Sequence, residues 1–283
     1  MRGTGVSLPD PVVLALWERM DPPEDDAADP DLGPRFADEL DVTSRMWFAC
    51  GYRPGIGAYL NFFLLADFIE THDRAFPPRF RSFRSMADSF YRTDLFVRDV
   101  TDSGPEPTGG VSSPAVRKML RGIMGRHRKI GIPLWMMTYF GFSLTENVEK
   151  QVDGFDERER QSHLDYMARA YRIMGLRFSG ERRLMEQFGR TVEHAHAGPS
   201  RSLEKHARNI LVIGEMVGVR SHIDHVGRML PAPALREFER IYPRVRPGPA
   251  LRLAARAFGR VAMKRAIGAP RKAVPSGVDA RSG

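Results

Sequence analysis

The sequence predicts an all-α fold, a single multi-helix domain of roughly ten helices around one core. Apolar residues recur at spacings of three and four in one segment after another, as they do on one face of a helix. No segment shows the strict alternation of a half-buried strand, and no internal repeat is found. With 283 residues, of which 42% are hydrophobic and 28% charged, the chain is long enough to bury a sizeable core.

Composition divides the chain into three regions. Residues 1–33 hold a short helix, begun by Pro9-Asp10-Pro11, and an acidic connection rich in proline and aspartate. Residues 34–267 carry the helical periodicity and form the main domain. Residues 268–283 have the composition of a disordered tail.

Glycine and proline set the bounds of the first helices of the main domain. A helix over about 35–50 is stopped by Gly51 and Pro54, and an apolar helix over 55–71 ends before Pro77 and Pro78. A helix over 80–100 follows, and then a loop over 101–110 that is rich in glycine and proline.

Helix caps mark the later elements. Ser113 is a natural N-cap and Pro114 a natural first residue for a helix that stops at Gly131 and Pro133. Asp156 and Glu159 have the spacing of a capping box, in which each side chain accepts a hydrogen bond from the other residue's amide. The remaining helices are expected over 132–152, 156–176, 179–196, 199–227, 231–242 and 249–267.

One histidine interrupts an apolar stripe on the helix that begins at Pro114. The stripe is formed by Val116, Leu120, Ile123, His127 and Ile130, at spacings of four and three. The commoner explanation of such a histidine is a hydrogen-bonded core residue. The alternative is a metal or haem ligand, because a helix holds an imidazole rigidly.

The residues around this histidine resemble a known family. His127-x-x-Ile130-x-Ile132-Pro133, followed by the run Leu134 to Tyr139, is similar to the central tract of the MpaB-type oxygenase and rubber oxygenase (latex-clearing protein) family. Further segments follow in the order of that family. These segments are Arg92-Thr93 with the later Gly104, the run Glu157 to Arg160, Met174-Gly175-Leu176, and Glu193. The resemblance covers roughly residues 85–240.

The resemblance implies a haem b whose iron is held by His127. Arg121, about 120° round the helix from His127, could reach a haem propionate only at the rim. Arg92 stands where latex-clearing proteins have a lysine. Since arginine stays protonated and does not ligate iron, the distal position would be open to dioxygen, with Arg92 as a hydrogen-bond donor. Arg92 could equally be a solvated surface residue, and Thr93 an ordinary helix residue.

Three bulky residues follow the histidine helix and are candidates for the wall of a substrate pocket. Trp135, Met136 and Tyr139 could contact an apolar substrate, although an aromatic core is the commoner meaning of such a run.

Two glycines on this helix and two histidine pairs elsewhere in the chain have explanations other than a cofactor or a metal. Gly122 and Gly125 face away from His127, and close packing of another helix is expected to explain them. The pairs His194-x-His196 and His222-x-x-His225 lack acidic or cysteine partners at ligand spacing.

Charge and cysteine content limit the partners and the compartment. The net charge is +8, with an acidic segment over 21–31 and eleven cations over 235–272. No nucleic-acid motif accompanies these cations, so no nucleic-acid partner is expected. In the last helix Arg252, Arg256, Arg260 and Lys264 follow at every fourth position, which makes this basic amphipathic helix a candidate for peripheral contact with an anionic membrane.

Three features of the sequence favour a cytoplasmic protein. They are a single cysteine, no apolar run long enough to span a bilayer, and no signal-peptide pattern.

Three functions are compatible with these features. The first is a haem-dependent oxygenase that uses dioxygen on an apolar, isoprenoid or lipid-like substrate, as the resemblance implies. The second is a non-catalytic helical protein of the same fold that binds a lipid or another apolar small molecule. The third is a surface-binding protein that acts through its basic C-terminal helix.

Overall fold

The structure is a computed structural model that describes residues 10–24, 32–51, 55–58, 60, 97–102, 109–129, 132–196 and 203–268. Within these ranges the side chains of residues 126, 127, 196, 203, 205, 225 and 261–268 lie outside the description. The described part is all-α and without strands, which confirms the predicted fold class.

Ten α-helices and one 3₁₀ turn make up the elements with defined bounds in the described ranges. Residues 55–58 and 97–101 are also helical. In chain order the helices are α1 (Pro11–Glu18), α2 (Phe36–Cys50), the 3₁₀ turn (Gly110–Ser112), α3 (Pro114–Lys129), α4 (Leu134–Gln151), α5 (Glu157–Met174), α6 (Arg182–His196), α7 (Leu203–Met216), α8 (Ile223–Gly227), α9 (Ala232–Val245) and α10 (Pro249–Gly268).

Most of the predicted helix ends are confirmed. Helix α3 begins at Pro114, and the capping box is present in both directions, with Asp156 Oδ1 accepting from the Glu159 amide at 2.8 Å and Glu159 Oε2 accepting from the Asp156 amide at 3.1 Å. The single helix predicted over 199–227 is wrong. The chain leaves α7 after Met216 and turns at Gly218, whose φ of 87° is in the left-handed region that favours glycine.

Helix α4 packs against α2, α5 and α6. Twelve of its eighteen residues are buried, so most of its circumference faces other parts of the protein. Gly141 makes one of these contacts possible. A Cβ at Gly141 would lie 2.8 Å from the ring of Tyr171, which packs over it from α5 and stacks on Phe178 at a centroid distance of 4.6 Å.

Helix α5 runs antiparallel to α2, and ion pairs at both ends fix their register. Arg45 on α2 reaches Glu159 at 3.0 Å, and Glu39 on α2 meets Arg169 at 3.1 Å. Between them Tyr166 is buried, accepts a hydrogen bond from the Val111 amide at 3.2 Å and donates to the carbonyl of Val100. The 3₁₀ turn before α3 is thereby attached to α5.

Helix α1 packs into the same core through Val13 and Leu16, which are both buried. The indole of Trp17 donates to Thr138 Oγ1 on α4 at 3.0 Å, and that hydroxyl donates to the carbonyl of Arg177 at 2.9 Å. Arg177 in turn donates to the carbonyls at the end of α1. A chain of hydrogen bonds therefore holds the N-terminal helix on the connection between α5 and α6.

The last helix, α10, is docked along α7. Arg256 Nε donates to Glu215 Oε2 at 2.5 Å, and Glu215 Oε1 accepts from the Ser221 amide at 2.9 Å. Burial raises the pKa of Glu215, but the hydrogen bonds from Arg256 and Ser221 lower it further, so the pKa of this carboxyl lies below its ordinary value. Gly259 lies directly against the Met216 carbonyl, where a Cβ would come within 1.9 Å of the oxygen.

The packing expected at two glycines of α3 is not found among the described residues. Gly122 and Gly125 are both exposed, and no described atom lies within 4 Å of a Cβ built on either. On α10 Arg252 and Arg256 are half-buried, and Arg256 is paired with Glu215 on α7, whereas Arg260 is exposed. No helix in the described ranges has the length and hydropathy that a bilayer span requires.

Candidate functional site

The predicted haem residues fall partly outside the described ranges. Arg92 and Thr93, which form the predicted distal side of the iron, both lie outside them. His127 belongs to α3, three residues after Met124 and seven after Leu120, which are 1% and 0% exposed. Its backbone position therefore continues the buried stripe, while its side chain is outside the description. Arg121 is half-buried on the same helix.

The predicted pocket wall lies at the start of α4 and is part of the main core. Trp135, Met136 and Tyr139 have exposures of 5%, 1% and 0%, and all three contact other buried apolar residues. They form an apolar surface that is shielded from solvent and begins shortly after the end of α3. The hydroxyl of Tyr139 is engaged in a polar contact with α6.

Tyr139 and Glu193 form a buried pair between α4 and α6. The phenol donates to Glu193 Oε1 at 3.1 Å. Burial raises the pKa of Glu193 to about 7, and the neighbouring Glu146 carboxylate raises it too, against the hydrogen bond from Tyr139 and the charges of Lys150 and Arg190. Burial and the Glu193 carboxyl hold the pKa of Tyr139 well above its ordinary value. Near neutral pH the pair therefore contains a neutral phenol and a carboxyl group that readily gains or loses a proton.

A second buried polar cluster lies about three turns further along α4. Glu149, near the end of α4, accepts from both terminal nitrogens of Arg182, with Nη1 2.6 Å from Oε2 and Nη2 3.2 Å from Oε1. His163 on α5 places its Nδ1 3.3 Å from Glu149 Oε1. Burial raises the pKa of Glu149, but the hydrogen bonds from His163 and Arg182 lower it more, so the carboxylate stays ionised.

The carboxylate of Glu149 orients the His163 ring. A carboxylate accepts hydrogen bonds only, so Nδ1 is the donor in this contact. The side chain of His163 is 0% exposed, and Nε2 has no hydrogen-bond partner among the described residues. An imidazole held by a carboxylate with its other nitrogen available is the arrangement found in metal-ligating and proton-accepting histidines.

Arg160 fixes the backbone that carries this cluster. Its guanidinium donates to the carbonyl of Glu149, to that of Val152 at 3.2 Å and to that of Phe155 at 3.3 Å. These carbonyls lie at the end of α4 and in the turn before α5, where they have no partners within the helix. The geometry between Glu149 and His163 is therefore set by α4, α5 and the connection between them.

No group of three or more histidine, cysteine or acidic side chains with metal-site geometry occurs in the described ranges. In the pairs His194-x-His196 and His222-x-x-His225, the first histidine of each pair is exposed. His222 Nδ1 lies 3.1 Å from Asp224 Oδ2. The side chains of His196 and His225 are outside the description.

Glu149, His163 and Arg182 are not among the residues that the sequence predicts for the site. The signal that singled out His127 also applies to His163, which precedes Met167, Ala170 and Met174 at spacings of four, three and four. Its partner Glu149 could have been found as a charged residue that lies directly after an apolar residue, Val148, in a helix rich in apolar and aromatic residues. The partnership itself depends on how α4 and α5 pack.

The chain was also compared with known proteins. Searches against protein-family models, curated proteins and solved structures found no match to it.

Proposed function

We propose that the protein is a haem-dependent oxygenase that acts on an apolar, isoprenoid or lipid-like substrate with dioxygen. The observation that carries the proposal is the register of α3, in which His127 follows the buried Leu120 and Met124 by seven and three residues. The chain then enters α4, whose first turns bury Trp135, Met136 and Tyr139. The resemblance of this tract to the MpaB and rubber oxygenase family supports the same assignment.

The residues present are of the kinds that haem requires. His127 supplies an imidazole in register with a buried stripe, and Arg121 supplies a half-buried cation suited to a propionate. Trp135 and Met136 supply apolar surface without charged groups. Bound at His127, haem iron would supply the dioxygen chemistry that the twenty amino acids lack.

The chain's own groups have separable tasks in this proposal. The apolar residues at the start of α4 exclude water from the reacting centre and accept an apolar substrate. Arg92, if it faces the site as the resemblance implies, donates a hydrogen bond and keeps its charge. Glu193, which accepts a hydrogen bond from Tyr139, can gain or lose a proton near neutral pH.

The test is the absorption spectrum of the protein purified from cells supplied with a haem precursor. We expect a Soret band that is lost in His127→Ala and retained in His194→Ala, a matched control because His194 is an exposed histidine on α6. Haem stoichiometry and circular dichroism are measured on the same samples, so that loss of haem is separated from loss of fold.

The other results assign the function differently. A folded helical protein that stays colourless after haem addition would overturn the oxygenase and favour the non-catalytic binder of apolar ligands. A Soret band that survives His127→Ala and is lost in His163→Gln would move the iron to His163, the imidazole that Glu149 orients.

A further inference from the structure

Helix α10 presents an apolar surface to solvent. Leu253 is 71% exposed, Phe258 62% and Leu251 38%. Ala254 and Ala257 are exposed as well. Leu251, Ala254 and Phe258 follow each other at spacings of three and four and form one strip, and Leu253 and Ala257 form the strip beside it. We call these five residues the outer surface of α10.

The docking of α10 on α7 holds this surface outward. Ala255 and Gly259 are buried against α7, and the ion pair of Arg256 with Glu215 fixes the rotation of the helix about its axis. Gly259 allows the two backbones to approach closely, since a Cβ there would overlap the Met216 carbonyl. The outer surface is therefore a fixed feature of the fold.

Cations border the outer surface and no carboxylate does so on the same helix. Pro249–Gly268 contains Arg252, Arg256, Arg260, Lys264 and Arg265 and no aspartate or glutamate. Arg260 is exposed and stands two turns after Leu253 on the same side of the helix. Large exposed apolar side chains bordered by cations are the composition of helices that lie in a bilayer interface.

We propose that the outer surface of α10 is a binding site for an anionic lipid bilayer, with Leu253 and Phe258 inserted among the acyl chains and Arg260 at the headgroups. Charge decides between this partner and a second copy of the chain. Pairing α10 with itself would bring together two helices that each carry four cations besides Arg256, which is paired with Glu215, and no carboxylate on either, whereas anionic headgroups complement them. This inference does not depend on haem.

The experiment is flotation of the full-length protein with vesicles. One set of vesicles contains phosphatidylcholine and phosphatidylserine at about three to one, and the other contains phosphatidylcholine alone. We expect binding to the first set that weakens with added salt, and little binding to the second. The double variant Leu253→Ser, Phe258→Ser should bind about tenfold more weakly, because both side chains lose their insertion into the bilayer.

The matched control is Phe48→Ser. Phe48 lies on α2 and is 92% exposed, so this change also removes an exposed aromatic side chain while leaving α10 intact. Binding of Phe48→Ser should equal that of the unaltered protein, whereas Arg260→Glu should reduce it. All substituted residues are exposed, and circular dichroism checks that each variant is folded.

Three results would overturn the proposal. They are equal binding to both kinds of vesicle, equal loss in Phe48→Ser and the double variant, and no vesicle binding at all. Light scattering after size exclusion tests the competing partner, a second copy of the chain. A dimer that the double variant returns to monomer, without vesicle binding, would assign the outer surface to a second copy of the chain.

Discussion

The phenol of Tyr139 donates a hydrogen bond to Glu193 at 3.1 Å inside the interface of α4 and α6. The pair combines the last predicted pocket residue with a carboxyl group whose pKa is raised to about 7 by burial. Its protonation therefore changes within the pH range in which proteins are normally studied.

Glu193 should make the protein less stable as pH rises. The pKa of Glu193 is higher in the folded chain, about 7, than its ordinary value of 4.5, so its stabilising contribution is complete below 4.5 and lost as pH rises through 7. Glu193→Gln removes this titration. The difference in free energy of unfolding, variant minus unaltered protein, should therefore become more positive by about 3 kcal/mol between pH 4 and pH 8. Urea unfolding at a series of pH values measures it, and a difference independent of pH would contradict the prediction.

Tyr139→Phe should raise the pKa of Glu193 further. The hydrogen bond from the phenol favours the ionised carboxylate, and the variant loses it while keeping the aromatic ring. Carboxyl carbon shifts in an NMR titration report the midpoint directly. Tyr171→Phe is the control, because the hydroxyl of Tyr171 donates to the Gly141 carbonyl instead and its loss should leave the midpoint of Glu193 unchanged.

Glu149→Gln should destabilise the protein by about 1.5 to 3 kcal/mol, because the partly buried Arg182 loses its hydrogen bonds to a carboxylate. Arg182 makes two hydrogen bonds to Glu149, which is also the partner of His163. Urea unfolding at neutral pH measures the loss. Glu157→Gln is the matched control, because Glu157 meets the same Arg182 at 3.3 Å with its side chain 77% exposed, and its loss should cost less than about 1 kcal/mol.

The same carboxylate should contribute to acid unfolding. The pKa of Glu149 is lower in the folded chain than in the unfolded one, so its contribution is present above pH 4.5 and is lost as pH falls below that value. Glu149→Gln should therefore flatten the decline of stability on the acid side. Equal acid sensitivity in the variant and the unaltered protein would show that other carboxyl groups dominate there.

Two glycine-to-alanine changes in helices should have opposite effects. Gly259→Ala places a Cβ against the Met216 carbonyl and should destabilise the docking of α10 by about 1 to 3 kcal/mol or more. Gly122→Ala adds a methyl group at an exposed helical position and should stabilise the protein by about 1 kcal/mol. Denaturant midpoints of both variants test this, and a loss of stability in Gly122→Ala would mean that the position is packed after all.

Local sequence signals located helix ends better than they located contacts. Ser113 with Pro114 and Asp156 with Glu159 marked helix starts that the structure confirms, because a cap is a local interaction between neighbouring residues. The break at Gly218 was missed because one glycine in an apolar run carries little information unless its φ is known. The packing expected at Gly122 and Gly125 does not occur among the described residues for a related reason, since a missing side chain does not say which element lies opposite.

The candidate site could be predicted only in part. Burial of Trp135, Met136 and Tyr139 follows from the apolar sequence of α4. The partners of Tyr139 and His163 could not be predicted, because Glu193 is 54 residues from the first and Glu149 is 14 from the second, across interfaces that only the packed helices create. A buried polar pair requires both members to be identified together.

The hydrogen bonds that hold α1 on the turn before α6 also fix an order of events during synthesis. Trp17 must wait for Thr138, and the carbonyl of Glu18 must wait for Arg177, which leaves the ribosome 159 residues later. At translation rates of roughly 5 to 20 residues per second, this interval is on the order of ten to thirty seconds. Until Arg177 is made, α1 lacks the partners that hold it in place, and its apolar residues Val13, Leu16 and Trp17 expose the nascent chain to aggregation.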